Sequence, residues 1–405
     1  MLGFDHDLRR QGFAGNSCQI ILELSEAVNA AKLKERVAEL VRENSILSAR
    51  PVRGWTPRWT PTTFQPQVRV HSTAENLEEK LFNEPLDLKR GELLRFDVCG
   101  KKLIFTWTHA LMDAKSAEYF LAVVGDEHLS VPPTGGDWYL NHACIKSRLR
   151  ERFTRARQAL KRLDGFSKAL PISLATWRKR TITRTKFRLT TFSVEESARI
   201  HANAARLCGF LGDTNFHLAV TLVELHQLHQ RVGCASASYV VPVPIGLRPK
   251  GVRAPLFSNQ VTMALHQFFP DELISLPQTI AAFKSRHTEY LRAGQLDSGI
   301  ILGQLFRKLP LGLYMRLIKQ ALRGEICSLF FGDTGTADSA LENFLSARIE
   351  SLVHVPAITV PPGLGVVFGV FRGQLRLTLV YAEGALVETE ATKFESHLRE
   401  RLLNP

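Results

Sequence analysis

The sequence predicts an α/β protein built in two halves, and three observations lead there. Short runs of β-branched and apolar residues alternate with stretches of helical periodicity along all 405 residues. Each half carries strands and helices of its own, and a strongly basic segment separates them. Apolar residues make up 45% of the chain and charged ones 22%, which allows substantial cores and argues against disorder. The expected division is residues 1–145, a linker at 146–185, and residues 186–405.

In order, Ser17 to Leu24 reads as a strand, apolar and partly β-branched. Ala27 to Val41 then sets Val28, Ala31, Leu33, Val37, Leu40 and Val41 on one helical stripe. Strands at Gln67–Val70 and Leu93–Val98 flank a helix at Ala74–Phe82. Lys102–Trp107 is a buried strand that runs almost directly into His109, and a helix begins near Asp113. Its positions Ala117, Tyr119, Phe120 and Val123 suit packing on a sheet.

The linker opens with an amphipathic helix in which Ile145, Leu149, Phe153, Ala156, Leu160 and Leu163 recur at steps of four and three. Gly165 and Pro171 end it. The second half starts with a strand at Lys186–Thr191 and a capping box, Ser193 to Glu196, for a helix ending near Gly209. Asp213 or Thr214 is placed to cap a helix running to Val232. Strands at Ser236–Ile245 and Asn259–Leu265 precede helices at Leu276–Arg292 and Ile301–Arg323. Strands at Ile326–Phe331, Phe344–Leu352, Gly365–Phe371 and Gln374–Tyr381 lead to a closing helix, Glu390–Leu403.

The net charge of +13 is local: Lys146 to Arg188 holds fifteen Lys/Arg against Glu151 and Asp164, so the rest sums to zero. Such a segment is read either as a solvated linker helix whose apolar stripe packs on its own domain, or as a surface that attracts phosphates, an acidic carrier protein or an anionic membrane surface. Nucleic acid is disfavoured, because aromatics are sparse between 146 and 188 and no binding motif is present. The first residues lack the apolar core of a signal peptide, and the uncharged run Ser351–Phe371 is broken by Pro356, Pro361 and Pro362. A cytoplasmic protein, soluble or peripheral on the membrane, is expected. The six cysteines stand singly, without metal-ligand spacing, and are read as reduced.

Among candidate chemical groups, His109 and Asp113 stand out. A histidine at the stiff end of a buried strand suits proton abstraction, and an aspartate one turn on can hold the loop by pairing with a distant arginine. Gly363-Leu-Gly365 lacks the lysine and helix of a phosphate loop. His226 and His229 lie one helical turn apart without a third metal ligand, and no Gly-x-Ser-x-Gly elbow occurs.

The segment TWTHALMDAKSAEYFL resembles the HHxxxDG region of the chloramphenicol-acetyltransferase-like superfamily. That group includes non-ribosomal peptide condensation domains, wax ester synthase/diacylglycerol acyltransferases and polyketide-associated acyltransferases. The resemblance runs in order along most of the chain. VPVPIGLRPKG (241–251), LFSNQVTMAL (256–265), CSLFFGDTG (327–335) and GVVFGVFRGQLRLTLVYAEG (365–384) are similar to successive family segments. Three positions depart: Thr108 replaces the first histidine, Ala114 the glycine, and Gly332-Asp333-Thr334-Gly335 rewrites a proline-containing turn.

The resemblance implies two subdomains of one topology forming a pseudo-dimer with a central tunnel that meets at His109. It implies thioester-dependent acyl transfer, nearest to the wax ester synthase and polyketide-associated branch, with His109 as general base. The donor is an acyl-CoA or acyl-carrier protein used as co-substrate, with no separate cofactor and no metal. Asp113 is then structural, with Arg248 as its ion-pair partner. Asn259 faces the reacting carbonyl or the histidine loop, and Asp333 and Thr334 are candidate substrate or oxyanion contacts, set in a glycine-flanked turn. An amide-forming condensation enzyme and a non-catalytic scaffold of the same fold are the alternatives.

Overall fold

The computed structural model describes residues 1–52, 58–133, 147–178, 183–210 and 212–405. From the N-terminus the chain forms α1 (Leu2–Arg10), β1 (Ser17–Leu24), α2 (Ala30–Glu43), β2 (Ala49–Val52), β3 (Arg58–Pro61) and β4 (Gln67–Val70). Next come α3 (Leu77–Phe82), β5 (Leu94–Cys99), β6 (Lys102–Thr108) and α4 (Ala114–Gly125), then α5 (Leu149–Phe166) and α6 (Leu174–Arg178). The second half holds β7 (Thr185–Thr191), α7 (Val194–Cys208), α8 (Asp213–Val232), β8 (Tyr239–Gly246), β9 (Val261–Phe268), α9 (Leu276–Arg292), α10 (Gln295–Phe306) and α11 (Leu311–Ala321). It ends with β10 (Phe330–Thr336), β11 (Asn343–Phe344), β12 (Ala347–Val355), β13 (Leu364–Phe371), β14 (Gln374–Ala382) and α12 (Glu388–Leu403).

The first layer is a sheet in the order β11-β12-β1-β6-β5-β4, and the second is β10-β13-β14-β7. β8 and β9 form an antiparallel pair of their own, as do β2 and β3. β1 is apolar on both faces because it has a core on each side. Ile20 and Leu22 pack with α2 and α4, while Ile21 meets Ile104, Val355 and Val380 at the seam with the second sheet. A period of two residues assigns the faces.

The boundary expected at 186 does not separate the two sheets. β12, from the second half, pairs antiparallel with β1, Gln19 opposite Val355, and so completes the first sheet. Across the seam, the Thr378 hydroxyl donates to the His354 carbonyl at 2.7 Å.

The second core surrounds α8, whose residues from Phe216 to Leu225 are all buried. α7 starts with the reciprocal cap read from sequence: Glu196 N–H donates to Ser193 Oγ at 3.1 Å, and Ser193 N–H to Glu196 at 2.9 Å. Asp213 does not cap α8; Gly212 holds that position and the Asp213 carboxylate lies 2.8 Å from His201 Nδ1. The helix expected over Ile301–Arg323 is two helices, because Pro310 has no N–H to continue the first and instead precedes α11. The final strand cluster also shifts: β10 starts at Phe330, and Ser328 N–H bonds the Val240 carbonyl of β8 beforehand.

The basic segment opens with α5. Its expected stripe divides: Ala156, Ala159 and Leu163 pack on Ile300, Ile301 and Leu302 of α10. Leu149, Phe153 and Leu160 instead stand 71%, 64% and 46% exposed, and Ile145 lies outside the described residues. Among the described residues no helix is long and apolar enough to cross a membrane.

Candidate active site

β6 delivers His109 to the edge of the first layer. Trp107 and Phe105 stack on one another inside the core, so the strand leading to the histidine is held rigidly. Thr108 is buried, and its hydroxyl accepts from Ala110 N–H at 3.4 Å, closing the turn after the strand. The His109 N–H donates to the Asn16 carbonyl at 2.9 Å. The His109 carbonyl accepts from the Asn259 side-chain amide at 2.8 Å. Both backbone groups of the histidine are therefore held by other segments, leaving its half-buried imidazole on a fixed pivot.

Its Nδ1 has no hydrogen-bond partner among the described residues. Burial pushes the His109 pKa below its ordinary 6.5, because a charged ring would be poorly solvated there. Its own carbonyl, the Asp113 charge and the Asn259 side chain oppose that shift without reversing it. The neutral imidazole, the form that accepts a proton, is thus favoured at neutral pH.

Asp113 caps α4, with Oδ1 accepting from Ser116 N–H at 2.9 Å. Its carboxylate also receives Arg248 Nη1 at 3.1 and 2.9 Å and the Gln260 N–H at 2.9 Å. Arg248 reaches further with Nη2, to Ser116 Oγ at 2.6 Å and the Pro255 carbonyl at 3.0 Å. One ion pair therefore ties the start of α4 to the segment between β8 and β9. Ala114 is the first residue of α4 and has no positive φ, so nothing there requires the missing glycine.

Asn259 is bound to the histidine loop through its amide nitrogen, and its buried Oδ1 has no partner among the described residues. Asp333 is not brought to His109 by any contact. It sits 3.0 Å from His217 Nδ1, both side chains buried, and accepts from Gly335 N–H at 2.9 Å. Against the upward push of burial, the His217 hydrogen bond and charge hold its carboxyl below the ordinary range. The His217 ring stacks on Phe368 at 4.4 Å, so the pair packs into the second sheet. The Thr334 hydroxyl donates to the Phe368 carbonyl at 3.2 Å. These two candidates are occupied in building the β10 turn.

Asn16, Ser116, Gln260 and His217 were not singled out from sequence. An Asp-x-x-Ser spacing at 113–116 is a capping signal and would have found Ser116. Asn16 and Gln260 act through backbone atoms, which no residue identity reports. His226 and His229 are core groups. His226 Nδ1 lies 3.0 Å from the Tyr239 hydroxyl, and both His229 nitrogens are buried without partners.

A cleft of about 920 Å³ lies between α1, Pro51–Val52, Pro85–Lys89 and Leu309–Gly312. Its lining includes Asp5, whose carboxylate accepts at 2.9 Å from the N–H of Asn16, the residue whose carbonyl holds His109.

Solved structures of the same architecture exist. The trichothecene 15-O-acetyltransferase from Fusarium sporotrichioides superimposes with a TM-score of 0.70 at 13% identity, over 99% of this chain and 93% of that one. The first condensation domain of the CDA synthetase gives 0.71 at 14% identity, over 100% and 94%. The condensation domain from the monacolin K polyketide synthase MokA gives 0.62 at 14% identity, over 100% and 97%. No family model matches the chain, and no curated protein matches it by sequence. The likeness establishes the fold: two chloramphenicol-acetyltransferase-like halves, as in condensation domains and this acetyltransferase.

Proposed function

We propose that the protein moves an acyl group from a thioester, acyl-CoA or an acyl-carrier protein, to a hydroxyl acceptor, with His109 as general base. One observation carries this reading: a strand-end imidazole on a pivot fixed by Asn16 and Asn259, with burial favouring its neutral form. In the step, the imidazole takes the hydroxyl proton as the acceptor oxygen attacks the thioester carbonyl. The new C–O bond forms, the carbonyl pair moves onto oxygen, and the resulting oxyanion collapses by breaking the C–S bond. The imidazolium then returns its proton to the departing thiolate. No covalent acyl-enzyme forms.

Asp113 and Arg248 position the loop and stay out of the chemistry. The O-acetyltransferase neighbour supports ester formation. A lipid or alcohol acceptor rests only on the sequence resemblance to the wax ester synthase branch. The condensation-domain neighbours favour a second reading, in which a carrier-bound amine takes the place of the hydroxyl and the product is an amide.

The test is free-thiol release from a panel of acyl-CoA and acyl-pantetheine thioesters, each offered alcohols and then amines. Loss of an acid–base group lowers such a rate by roughly 10²- to 10⁴-fold, which is the expectation for His109→Ala. An undiminished rate in that variant sinks the mechanism. Silence of the native protein across every pairing would leave the fold as a binding scaffold.

A further inference from the structure

The grip on the His109 N–H comes from a single carbonyl, so whatever fixes Asn16 also fixes the histidine. Asn16 stands just before β1, whose Ser17 lies opposite Thr108 of β6. Its carbonyl extends that ladder by one bond, to His109 N–H at 2.9 Å. The Asn16 N–H finds its acceptor outside the sheet, at Asp5 Oδ1 of α1, 2.9 Å away.

Asp5 is only 6% exposed, and it is itself held. Its Oδ2 accepts from Arg9 Nε at 2.8 Å, one turn along α1, and Arg9 Nη2 continues to the Leu86 carbonyl at 2.9 Å. Gly15 shows how closely this pair meets the chain leading into Asn16. A Cβ there would stand 2.4 Å from Asp5 Oδ1 and 2.9 Å from Arg9 Nη2, and its φ of +114° already favours glycine. The other acid in the middle of α1, Asp7, has different duties. It accepts from Lys319 Nζ of α11 at 2.6 Å and from Gln11 Nε2 at 2.9 Å, and neither partner belongs to the histidine loop.

We propose that Asp5 is a positioning residue for His109. It acts through the N–H and carbonyl of Asn16 and stays out of the chemistry, while Arg9 keeps its carboxylate aimed at that N–H. Displacing a reacting group by about 1 Å can slow an enzyme up to ~10²-fold, which is the scale at stake when one point of the pivot loosens. The consequence for rate rests on the acyl-transfer reading; the hold on the histidine loop does not.

Amide hydrogen exchange in the full chain reads the hold directly, and thioester-dependent thiol release reads its effect on the reaction. Asp5→Ala should speed exchange at the His109 N–H by about tenfold or more. It should also lower kcat by roughly 10- to 100-fold with KM little changed. Arg9→Met frees the carboxylate without removing it, so it should give a smaller change of the same sign, and it serves if Asp5→Ala does not fold. Asp7→Asn breaks the other ion pair of α1 and should leave both readouts as they are. Losses in Asp7→Asn equal to those in the Asp5 and Arg9 variants would mean that α1 matters only as packing, and that overturns the proposal. Unchanged exchange at His109 in Asp5→Ala and Arg9→Met overturns it too. Faster exchange in those variants, beside an undiminished rate in His109→Ala, would uphold the positioning and sink the acyl-transfer mechanism instead.

Discussion

Asp113 receives bonds from Ser116, Gln260 and Arg248, so its carboxylate is spent on holding three segments together. Removing one partner of such a buried pair strands the other charge. Arg248→Met should therefore cost about 3–5 kcal/mol in denaturant unfolding, and Asp113→Asn in the same chain should restore part of it without restoring activity. Under the proposed mechanism His109 acts in its neutral form, so activity should hold above its folded pKa and be lost as pH falls through it. Burial sets that value below 6.5, which places the acid limb of kcat/KM below pH 6.5. Asn259→Ala removes one group that opposes the shift, so the limb should move lower still while kcat drops. An unmoved limb would mean that Asn259 does not act through the histidine. His109, Asp113 and Asp113's partner Arg248 were legible because each stands as a side chain in a segment that resembles the family motifs. The grip on the histidine's own N–H was not, because Asn16 supplies only a carbonyl.

α5 carries part of the excess charge, and its sequence period foretold the helix but not which residues it hides. A stripe of apolar positions has two edges, and one sequence does not say which edge meets a neighbour. α10 takes Ala156 and Ala159, leaving Leu149, Phe153 and Leu160 beside the exposed Arg150, Arg157 and Lys161. That arrangement suits the surface of an anionic membrane, where apolar side chains enter the headgroup boundary and cations meet lipid phosphates. Flotation with liposomes containing anionic lipid should retain the native chain, less so at high salt. Leu149→Glu with Phe153→Glu should abolish retention and leave the unfolding midpoint unchanged, both positions being exposed. Other elements were misjudged for equally local reasons. The break before α11 follows from Pro310, whereas α1 went unassigned because its mixed charges hide the apolar positions Leu2, Phe4 and Leu8.

At the scale of the whole molecule, composition and alternation of elements conveyed two α/β halves, but not that β12 leaves the second to enter the first. Pairing between positions so distant in sequence has no local signature. A fragment of residues 1–178 should consequently fail to fold alone, exposing Ile20 and Ile21 along an unpaired β1 edge. Adding residues 343–355 as a separate peptide should reduce its aggregation, measured by light scattering. The same crossing sets a schedule on the ribosome. β1 emerges early, and β12 follows roughly 320 residues later, a delay of ~16–65 s at ~5–20 residues per second. Between those two events the first sheet waits with one edge open, a bare strand that the nascent chain must keep from pairing with its neighbours.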